Sequence, residues 1–183
     1  MCSSDLGTDE QKVHLSAILN GDEFRAFLKE AVAKHGVHRV LLLGGDEPKP
    51  KGPFADSLEI LESGLLADSG IREIGVAGYP EGHPRISNLS EAFERKRRLT
   101  REQGLGMYVV TQFSFSPNRV VEYCAGLARS APDVSVYAGV AGPTDPVALA
   151  RYSLQREPSN VVGVHLYSFG GALKTASWMR ELI

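Results

Sequence analysis

The segment VHRVLLLGGDEP, residues 37–48, passes from an apolar run directly into two glycines and an acidic pair. Runs of Val, Ile and Leu without polar alternation are typical of strands buried on both faces, as in parallel sheets. Five other runs share this character, so the sequence predicts six buried strands. The predicted strands are residues 13–19, 37–43, 71–78, 107–113, 134–140 and 161–167.

A helical pattern with residues typical of helix starts and ends follows each predicted strand. Asp22 is placed to cap the first helix and Gly36 to close it. Ser116-Pro117 pairs a capping side chain with proline at the first helical position, where the missing N–H costs nothing. The predicted helices begin near residues 22, 57, 90, 117, 146 and 172, and the second and third run to residues 66 and 103. This alternation predicts right-handed crossovers and a parallel sheet.

Composition and charge exclude several classes of protein. The 183 residues include 20 Lys and Arg against 22 Asp and Glu, so the chain lacks the basic excess of a nucleic-acid binder. No apolar run reaches the roughly 18 residues of a membrane span, and the polar N-terminus lacks a signal sequence. Cys2 and Cys124 are too few for a disulfide framework, and Cys124 fits the apolar face of a helix. We therefore predict a soluble, cytoplasmic α/β protein with no membrane or nucleic-acid partner.

The length of the chain limits its architecture. A complete α/β barrel takes roughly 250 residues, so 183 residues fit one α/β domain or part of a barrel. Because the sequence contains no linker and no segment of clearly different composition, residues 1–183 are predicted to form a single domain. Residues 1–10 show no periodicity, and we expect them to be disordered or a non-native junction.

Polar and glycine-rich segments follow the predicted strands at their carboxyl ends, where parallel α/β folds bind ligands. These segments are residues 44–48, 78–84, 111–115, 139–143 and 167–171. Glycines allow close approach, aromatic rings stack, and Asp, Gln and His provide oriented hydrogen bonds. Together they suit a flat heterocycle with a phosphate tail.

Individual residues of these segments also have structural interpretations. The pairs at residues 44–45 and 170–171 fit simple turns, Asp46 fits a helix cap or turn, and His14 fits a satisfied core histidine. Gln112, at the end of a predicted buried strand, favours a ligand because an unpaired buried amide is costly. Residues 79–84 contain many residue types that constrain the backbone or carry chemistry, and this favours a functional role for the segment.

Two other groups of residues are weaker candidates. His35 and His38 span a helix end, so their rings need not converge, and no metal site is predicted. The basic run at residues 95–98 fits a solvated helix face, with one member available to a phosphate.

Five blocks of sequence resemble the methylenetetrahydrofolate reductase family, in that family's order and with similar separations. They are HLSA at residues 14–17, LGGDEP at 43–48, AGYPEGHP at 77–84, VTQFSF at 110–115 and HLYSFGG at 165–171. The resemblance implies an α/β fold of the (β/α)8 TIM-barrel type, here incomplete with about six strand–helix units.

The resemblance also implies an oxidoreductase that is a flavoprotein with FAD. Members of the family pass hydride from NAD(P)H to the flavin and then to 5,10-methylenetetrahydrofolate, which becomes 5-methyltetrahydrofolate in one-carbon metabolism and methionine biosynthesis. The implied partners are therefore a tetrahydrofolate substrate and NAD(P)H. The resemblance does not decide between NADH and NADPH as the reductant, or between a monomer and a homo-oligomer.

The family's functional residues are carried over position by position. Asp46 is similar to the catalytic aspartate that touches both flavin and folate, where a fixed negative charge favours a cationic substrate. Gln112 is similar to the glutamine that binds the pterin ring. The implied flavin contacts are His14, Gly45, Asp46, Ala55, Tyr79, His83 and Lys96. Which basic residue of 95–101 contacts phosphate stays open.

This sequence also departs from the family pattern. On this comparison it begins at the family's third strand, without the family's proton-donating glutamate, and Gly171 and Ala148 stand where many members have arginine and glutamine. We expect six units not to close an eight-stranded barrel, so the chain alone should self-associate and bind flavin weakly. The alternatives are an inactive fragment that binds flavin or pterin, and a phosphate-binding barrel lyase or isomerase.

Overall fold

The computed structural model describes most of the chain. The described residues are 12–16, 21–43, 52–114, 116–142, 159–168, 173, 176–177 and 180. The predicted fifth helix, from residue 146, lies outside them. The predicted sixth helix is described only at residues 173, 176–177 and 180, which are helical.

Six strands form one sheet in the order of the sequence, β1-β2-β3-β4-β5-β6. They are β1 Lys12–Ser16, β2 Arg39–Leu43, β3 Glu73–Gly78, β4 Gly106–Thr111, β5 Ser135–Gly142 and β6 Val161–Ser168. The pairs β1–β2, β2–β3 and β5–β6 are parallel. The α/β fold with a parallel sheet of six strands is therefore confirmed.

Five helices lie between these strands among the residues that the structure describes. They are α1 Gly21–His35, α2 Ser57–Glu62, α3 Leu65–Asp68, α4 Leu89–Glu102 and α5 Pro117–Ser130. The prediction of one continuous helix over residues 57–66 is wrong. Gly64 has a φ of 71°, a left-handed conformation that ends α2 and lets α3 begin in a new direction.

The chain divides into two compact units. The first unit comprises residues 1–77 and 86–108, and the second comprises residues 78–85 and 109–183. A single domain over residues 1–183 therefore stays a prediction.

The first unit has an aliphatic core. Strand residues such as Val40, Leu42 and Ile74 are at most 2% exposed, and α1 adds Phe24 and Leu28. Apolar residues at helical spacing on α1 bury one face, as the sequence predicts. The amphipathic pattern thus accounts for the position of this helix.

The second unit buries α5 against its strands. Val109, Val136 and Ala138 have no exposed surface, and Val120 of α5 is equally buried. Cys124 is 2% exposed, which confirms its place in the core, and burial raises the pKa of its thiol to about 11. A thiol with this pKa stays protonated and inert at neutral pH.

No helix is long and apolar enough to span a bilayer in the part of the chain that the structure describes.

Candidate functional site

The loop that follows β3 folds back on itself through a tight turn. The Gly82 N–H donates to the Tyr79 carbonyl over 3.0 Å, and Gly82 has a φ of 82°, which favours glycine. The turn returns His83 to Tyr79, so that the two ring centroids lie 4.7 Å apart at an interplanar angle of 70°. This edge-to-face contact joins two of the residues that the sequence singles out.

The imidazole of His83 has a defined hydrogen-bonding role. Its Nδ1 accepts from the Arg85 backbone N–H over 3.2 Å. A neutral ring whose Nδ1 accepts a hydrogen bond carries its proton on Nε2. His83 is therefore set to donate from Nε2.

A hydroxyl ties the loop after β3 to the loop after β4. Ser114 Oγ accepts from the Ser116 N–H over 2.9 Å, and it also contacts the Glu81 carboxylate and the Ser116 carbonyl. The single hydroxyl proton is shared between those two acceptors. The exposed Glu81 is thereby held against the neighbouring loop.

Gln112 lies one residue beyond β4, and its environment differs from the expected one. It is exposed, so the argument from an unpaired buried amide is wrong: β4 ends at Thr111, and the strand leaves the core there. The Gln112 backbone N–H donates to the Gly78 carbonyl over 2.7 Å, which places Gln112 beside the residue that precedes Tyr79. Its side-chain amide makes no hydrogen bond with any residue that the structure describes.

Two tyrosines lie close to Tyr79. A Cβ on Gly78 would lie 2.7 Å from the Tyr123 hydroxyl oxygen, so the strand end needs glycine for this approach. Burial raises the pKa of Tyr123 and of Tyr167 to about 12, and the neighbouring Tyr79 adds to both shifts. All three tyrosines belong to the second unit, and the raised pKa values keep the Tyr123 and Tyr167 phenols protonated at neutral pH.

A second group of sequence-predicted residues meets in the first unit. Lys96 Nζ donates to Ser57 Oγ over 2.8 Å. Burial lowers the pKa of the Lys96 ammonium, and the Asp56 carboxylate opposes that shift. Asp56 also caps α2 by accepting from two backbone N–H groups. Lys96 therefore reaches the segment that contains Ala55.

Arg95 and Arg98 of the basic run on α4 lie on a solvated face, whereas the Arg97 side chain is only 14% exposed. Arg95 is exposed and pairs with Glu62 over 2.5 Å, and Arg98 lies 3.7 Å from Glu102. Such exposed pairs contribute little free energy. Lys96 is the member of the run at residues 95–98 with a distinct, half-buried environment beside a hydroxyl.

Three predicted site residues remain without a described side chain. His14 lies in β1 opposite Leu41, but only its backbone is described. Gly45 and Asp46 lie outside the described residues, so their roles stay predictions. The structure thus brings together Tyr79, His83 and Gln112, and separately Ala55 and Lys96.

Sequence reasoning missed three residues of this region. Ser114 falls inside a block quoted for the resemblance, yet its contact with Glu81 joins residues 33 positions apart. Tyr167 falls inside the HLYSFGG block, whereas Tyr123 lies on the amphipathic helix α5 outside every quoted block. Within the described ranges, no three His, Cys, Asp or Glu side chains are grouped to hold a metal ion.

Comparison with known proteins identifies the family of this chain. The family model of methylenetetrahydrofolate reductase matches residues 10–151, which is 142 of the 183 residues. The chain belongs to the methylenetetrahydrofolate reductase family. It is also 24% identical over 112 residues to methylenetetrahydrofolate reductase 2 of Saccharomyces cerevisiae, across 57% of this chain. The match covers 19% of that relative, so the chain spans about a fifth of its length.

Membership of the methylenetetrahydrofolate reductase family also classifies the fold. The family is a TIM barrel, and the parallel sheet with helices between its strands is an incomplete (β/α)8 fold. Active sites of such barrels lie at the carboxyl ends of the strands. Tyr79 and His83 follow β3, and Gln112 follows β4, at those ends.

Proposed function

We propose that this protein reduces 5,10-methylenetetrahydrofolate to 5-methyltetrahydrofolate with FAD as cofactor and NAD(P)H as reductant. The observation that carries the proposal is the exposed amide of Gln112, which has no partner among the described residues and whose backbone bonds Gly78 next to the Tyr79–His83 pair, in a chain of this family. The reaction belongs to one-carbon metabolism and methionine biosynthesis. The cytoplasm is the proposed location.

The donor set in the second unit fits a flavin ring. His83 offers an Nε2–H, Tyr79 offers a phenol, and both rings offer apolar edges to a flat heterocycle with carbonyl groups. FAD, when bound, supplies a carrier that accepts hydride from NAD(P)H and delivers it to the folate. Tyr79 and His83 bind and orient that carrier.

Lys96 fits the phosphate part of the same cofactor. Its half-buried ammonium donates to a neutral hydroxyl, and the lowered pKa reflects a cation short of compensation. An anionic phosphate would restore the charged form and accept a charge-assisted hydrogen bond. His14, Gly45 and Ala55 are proposed as further flavin contacts.

Gln112 fits the pterin ring of the substrate. A carboxamide presents one acceptor and two donors in a plane, and a pterin presents donors and acceptors side by side on its edge. A site built to pair both loses much affinity when the amide is removed. Gln112 therefore positions the folate rather than the flavin.

Asp46 is proposed as the catalytic carboxylate. It follows β2 by three residues, at the carboxyl end of that strand. A fixed negative charge there stabilises the cationic iminium form of the substrate. Replacing the carboxylate by an amide keeps the shape and removes the charge.

The proposal is tested by flavin content and by two separately timed half-reactions. A longer form of the protein that carries two further N-terminal strand–helix units from a relative should be yellow, its flavin should be reduced by NAD(P)H, and methylenetetrahydrofolate should reoxidise it. Asp46→Asn should keep its flavin and slow the folate half-reaction by about 10²- to 10³-fold. The matched control is Glu102→Gln on the exposed face of α4, which should leave both rates unchanged.

Three results would contradict all or part of the proposal. If the protein bound neither flavin nor folate, it could not have the proposed activity. A protein that binds flavin or pterin without turnover would favour the alternative of a binding module. Equal folate half-reactions in Asp46→Asn and the parent would remove Asp46 from the mechanism.

A further inference from the structure

The peptide bond between Thr111 and Gln112 is held from two sides. The Thr111 carbonyl accepts from the Tyr167 hydroxyl over 3.1 Å, and the Gln112 N–H donates to the Gly78 carbonyl over 2.7 Å. Thr111 Oγ1 in turn accepts from the Gly139 N–H over 2.8 Å. The end of β4 is thus fixed by its neighbours on β3, β5 and β6.

Tyr167 is well placed to act as a permanent donor. Its ring lies edge to face with His165 at 4.9 Å and with Phe113 at 5.7 Å, so the hydroxyl cannot swing freely. Burial raises the pKa of Tyr167 to about 12, so the phenol keeps its proton at any working pH. The hydrogen bond to Thr111 is therefore independent of pH across the neutral range.

Gly139 completes this arrangement by its lack of a side chain. A Cβ at this position would collide with the Thr111 carbonyl oxygen and lie 2.8 Å from the Tyr167 ring. The close approach of three strands around one carbonyl thus depends on glycine. Such crowding leaves the carbonyl a single direction.

We propose that Tyr167 is a positioning residue that sets the direction of the Gln112 amide by holding the Thr111 carbonyl. The inference rests on the proposed function, in which Gln112 binds the pterin ring. Gln112 is exposed and its amide has no partner among the described residues, so its own side chain offers nothing that orients it. The side chain therefore extends from a backbone segment that the Tyr167 hydroxyl helps to hold, together with the hydrogen bonds to Gly78 and Gly139, and this limits where the amide can lie.

Removing this hydroxyl should loosen the folate site without unloading the flavin. A neutral hydrogen bond contributes a modest net free energy, which corresponds to about a 3- to 10-fold change in an equilibrium constant. Tyr167→Phe keeps the ring contacts with His165 and Phe113, so the fold should be retained. The loss should therefore appear in folate affinity and in the mobility of the β4 end.

The experiment is a double-mutant cycle on the flavin-loaded protein with 5-methyltetrahydrofolate as the probe. Tyr167→Phe, Gln112→Ala and the double variant are titrated, and flavin content is measured for each. Tyr167→Phe should weaken binding about 3- to 10-fold in the parent and have no further effect in the Gln112→Ala background. Hydrogen exchange of the Gln112 N–H, which needs no folate, should become faster in Tyr167→Phe.

Tyr137→Phe is the matched control, since it removes the hydroxyl of a half-buried tyrosine on β5 whose ring carbons would lie 3.0 Å from a Cβ on Gly163. It should leave folate affinity and Gln112 exchange unchanged. Unchanged affinity in Tyr167→Phe, or an equal loss in both backgrounds, would overturn the positioning role while leaving Gln112 in place. Unchanged affinity in Gln112→Ala itself would instead remove the proposed folate contact on which the inference rests.

Discussion

The two ends of the strands use polar side chains in opposite ways. At the amino end of β2 and β3, in the first unit, Arg39 Nε lies 2.5 Å from Glu73 Oε2, and the Arg39 guanidinium lies 5.0 Å from the Tyr108 ring centre. At the carboxyl end, in the second unit, the Gln112 amide meets no hydrogen-bonding partner among the described residues. The charged side chains of Arg39 and Glu73 at the amino end therefore pair with each other, whereas Gln112 at the carboxyl end keeps an exposed amide.

This difference predicts which measurements respond to which substitutions. Satisfied groups contribute to the free energy of unfolding, so their loss should lower stability and leave ligand affinity alone. Uncommitted groups contribute little to unfolding, so their loss should lower affinity and leave stability alone. In parallel α/β folds the carboxyl ends are where ligands bind.

The largest expected effect is on the carboxyl end of the second unit. Gly139→Ala places a Cβ against the Thr111 carbonyl, a backbone atom that cannot move aside. We expect the free energy of unfolding to fall by about 3 kcal/mol, at the upper end for overpacking. Gly126→Ala on α5 is the control: its Cβ meets no atom within 4 Å, so it should stabilise the helix by roughly 0.5–1 kcal/mol. Equal denaturation midpoints for the two variants would contradict the crowding at Thr111.

A smaller loss is expected from the amino-end ion pair. Glu73→Gln leaves the Arg39 guanidinium without its carboxylate, and the two side chains are only 29% and 16% exposed. Because both are partly hydrated, we expect a loss of about 1–2 kcal/mol, below the cost for a fully buried pair. Chemical denaturation checks the loss, and flavin content and folate affinity should stay unchanged.

Glu62→Gln is the control for that ion pair. Glu62 pairs with Arg95 over the same 2.5 Å, but the side chains are 38% and 52% exposed. Its loss should cost less than about 0.5 kcal/mol. A reduced folate affinity in Glu73→Gln would erase the proposed division between the two ends.

The contact between the loops should matter more for binding than for stability. Ser114→Ala removes the hydroxyl that joins Glu81 to the loop after β4, at a cost of about 1 kcal/mol or less in unfolding. We expect weaker flavin binding, because the turn that carries Tyr79 and His83 loses its anchor. Ser130→Ala, whose hydroxyl bonds only the exposed end of α5, should leave flavin affinity unchanged. Equal flavin affinities in these two variants would show that the anchor has no role.

The smallest expected effect is a dependence of stability on pH. The folded-state pKa of Lys96 lies below the usual value of 10.5, so between these two values the unfolded chain binds more protons. Stability should therefore rise as pH increases through that window, and Lys96→Met should remove the rise. Lys34 is the opposite case, since its hydrogen bond with Glu30 raises its pKa, and Lys34→Met should not remove the rise. Stability curves for Lys96→Met that parallel the parent at every pH would contradict the burial of this ammonium.

Most of the fold could be predicted because burial on both faces leaves a clear trace in sequence. The predicted strands at 71–78 and 161–167 agree with β3 Glu73–Gly78 and β6 Val161–Ser168 to within two residues. The prediction of the second helix was wrong at Gly64, where a glycine in the left-handed conformation interrupts a sequence that otherwise has a helical pattern. A helical period alone does not reveal such a break.

The candidate site could be predicted only in part. Tyr79 and His83 meet through a local turn, which the proline and glycine between them favour. The contact of Tyr167 with Thr111 joins residues 56 positions apart, and no local pattern encodes it. The exposure of Gln112 was missed because a strand pattern does not show where the strand leaves the core.

The division between the two ends is tested most directly by titrating Gln112→Ala and Glu73→Gln with folate. Flavin absorbance reports the binding in both variants. The account predicts that Gln112→Ala keeps its flavin and its unfolding free energy but loses at least about 10-fold in affinity for 5-methyltetrahydrofolate. Glu73→Gln should lose stability and keep its affinity. Equal folate affinity in Gln112→Ala and the parent would contradict the claim that the carboxyl end holds its polar groups for a ligand.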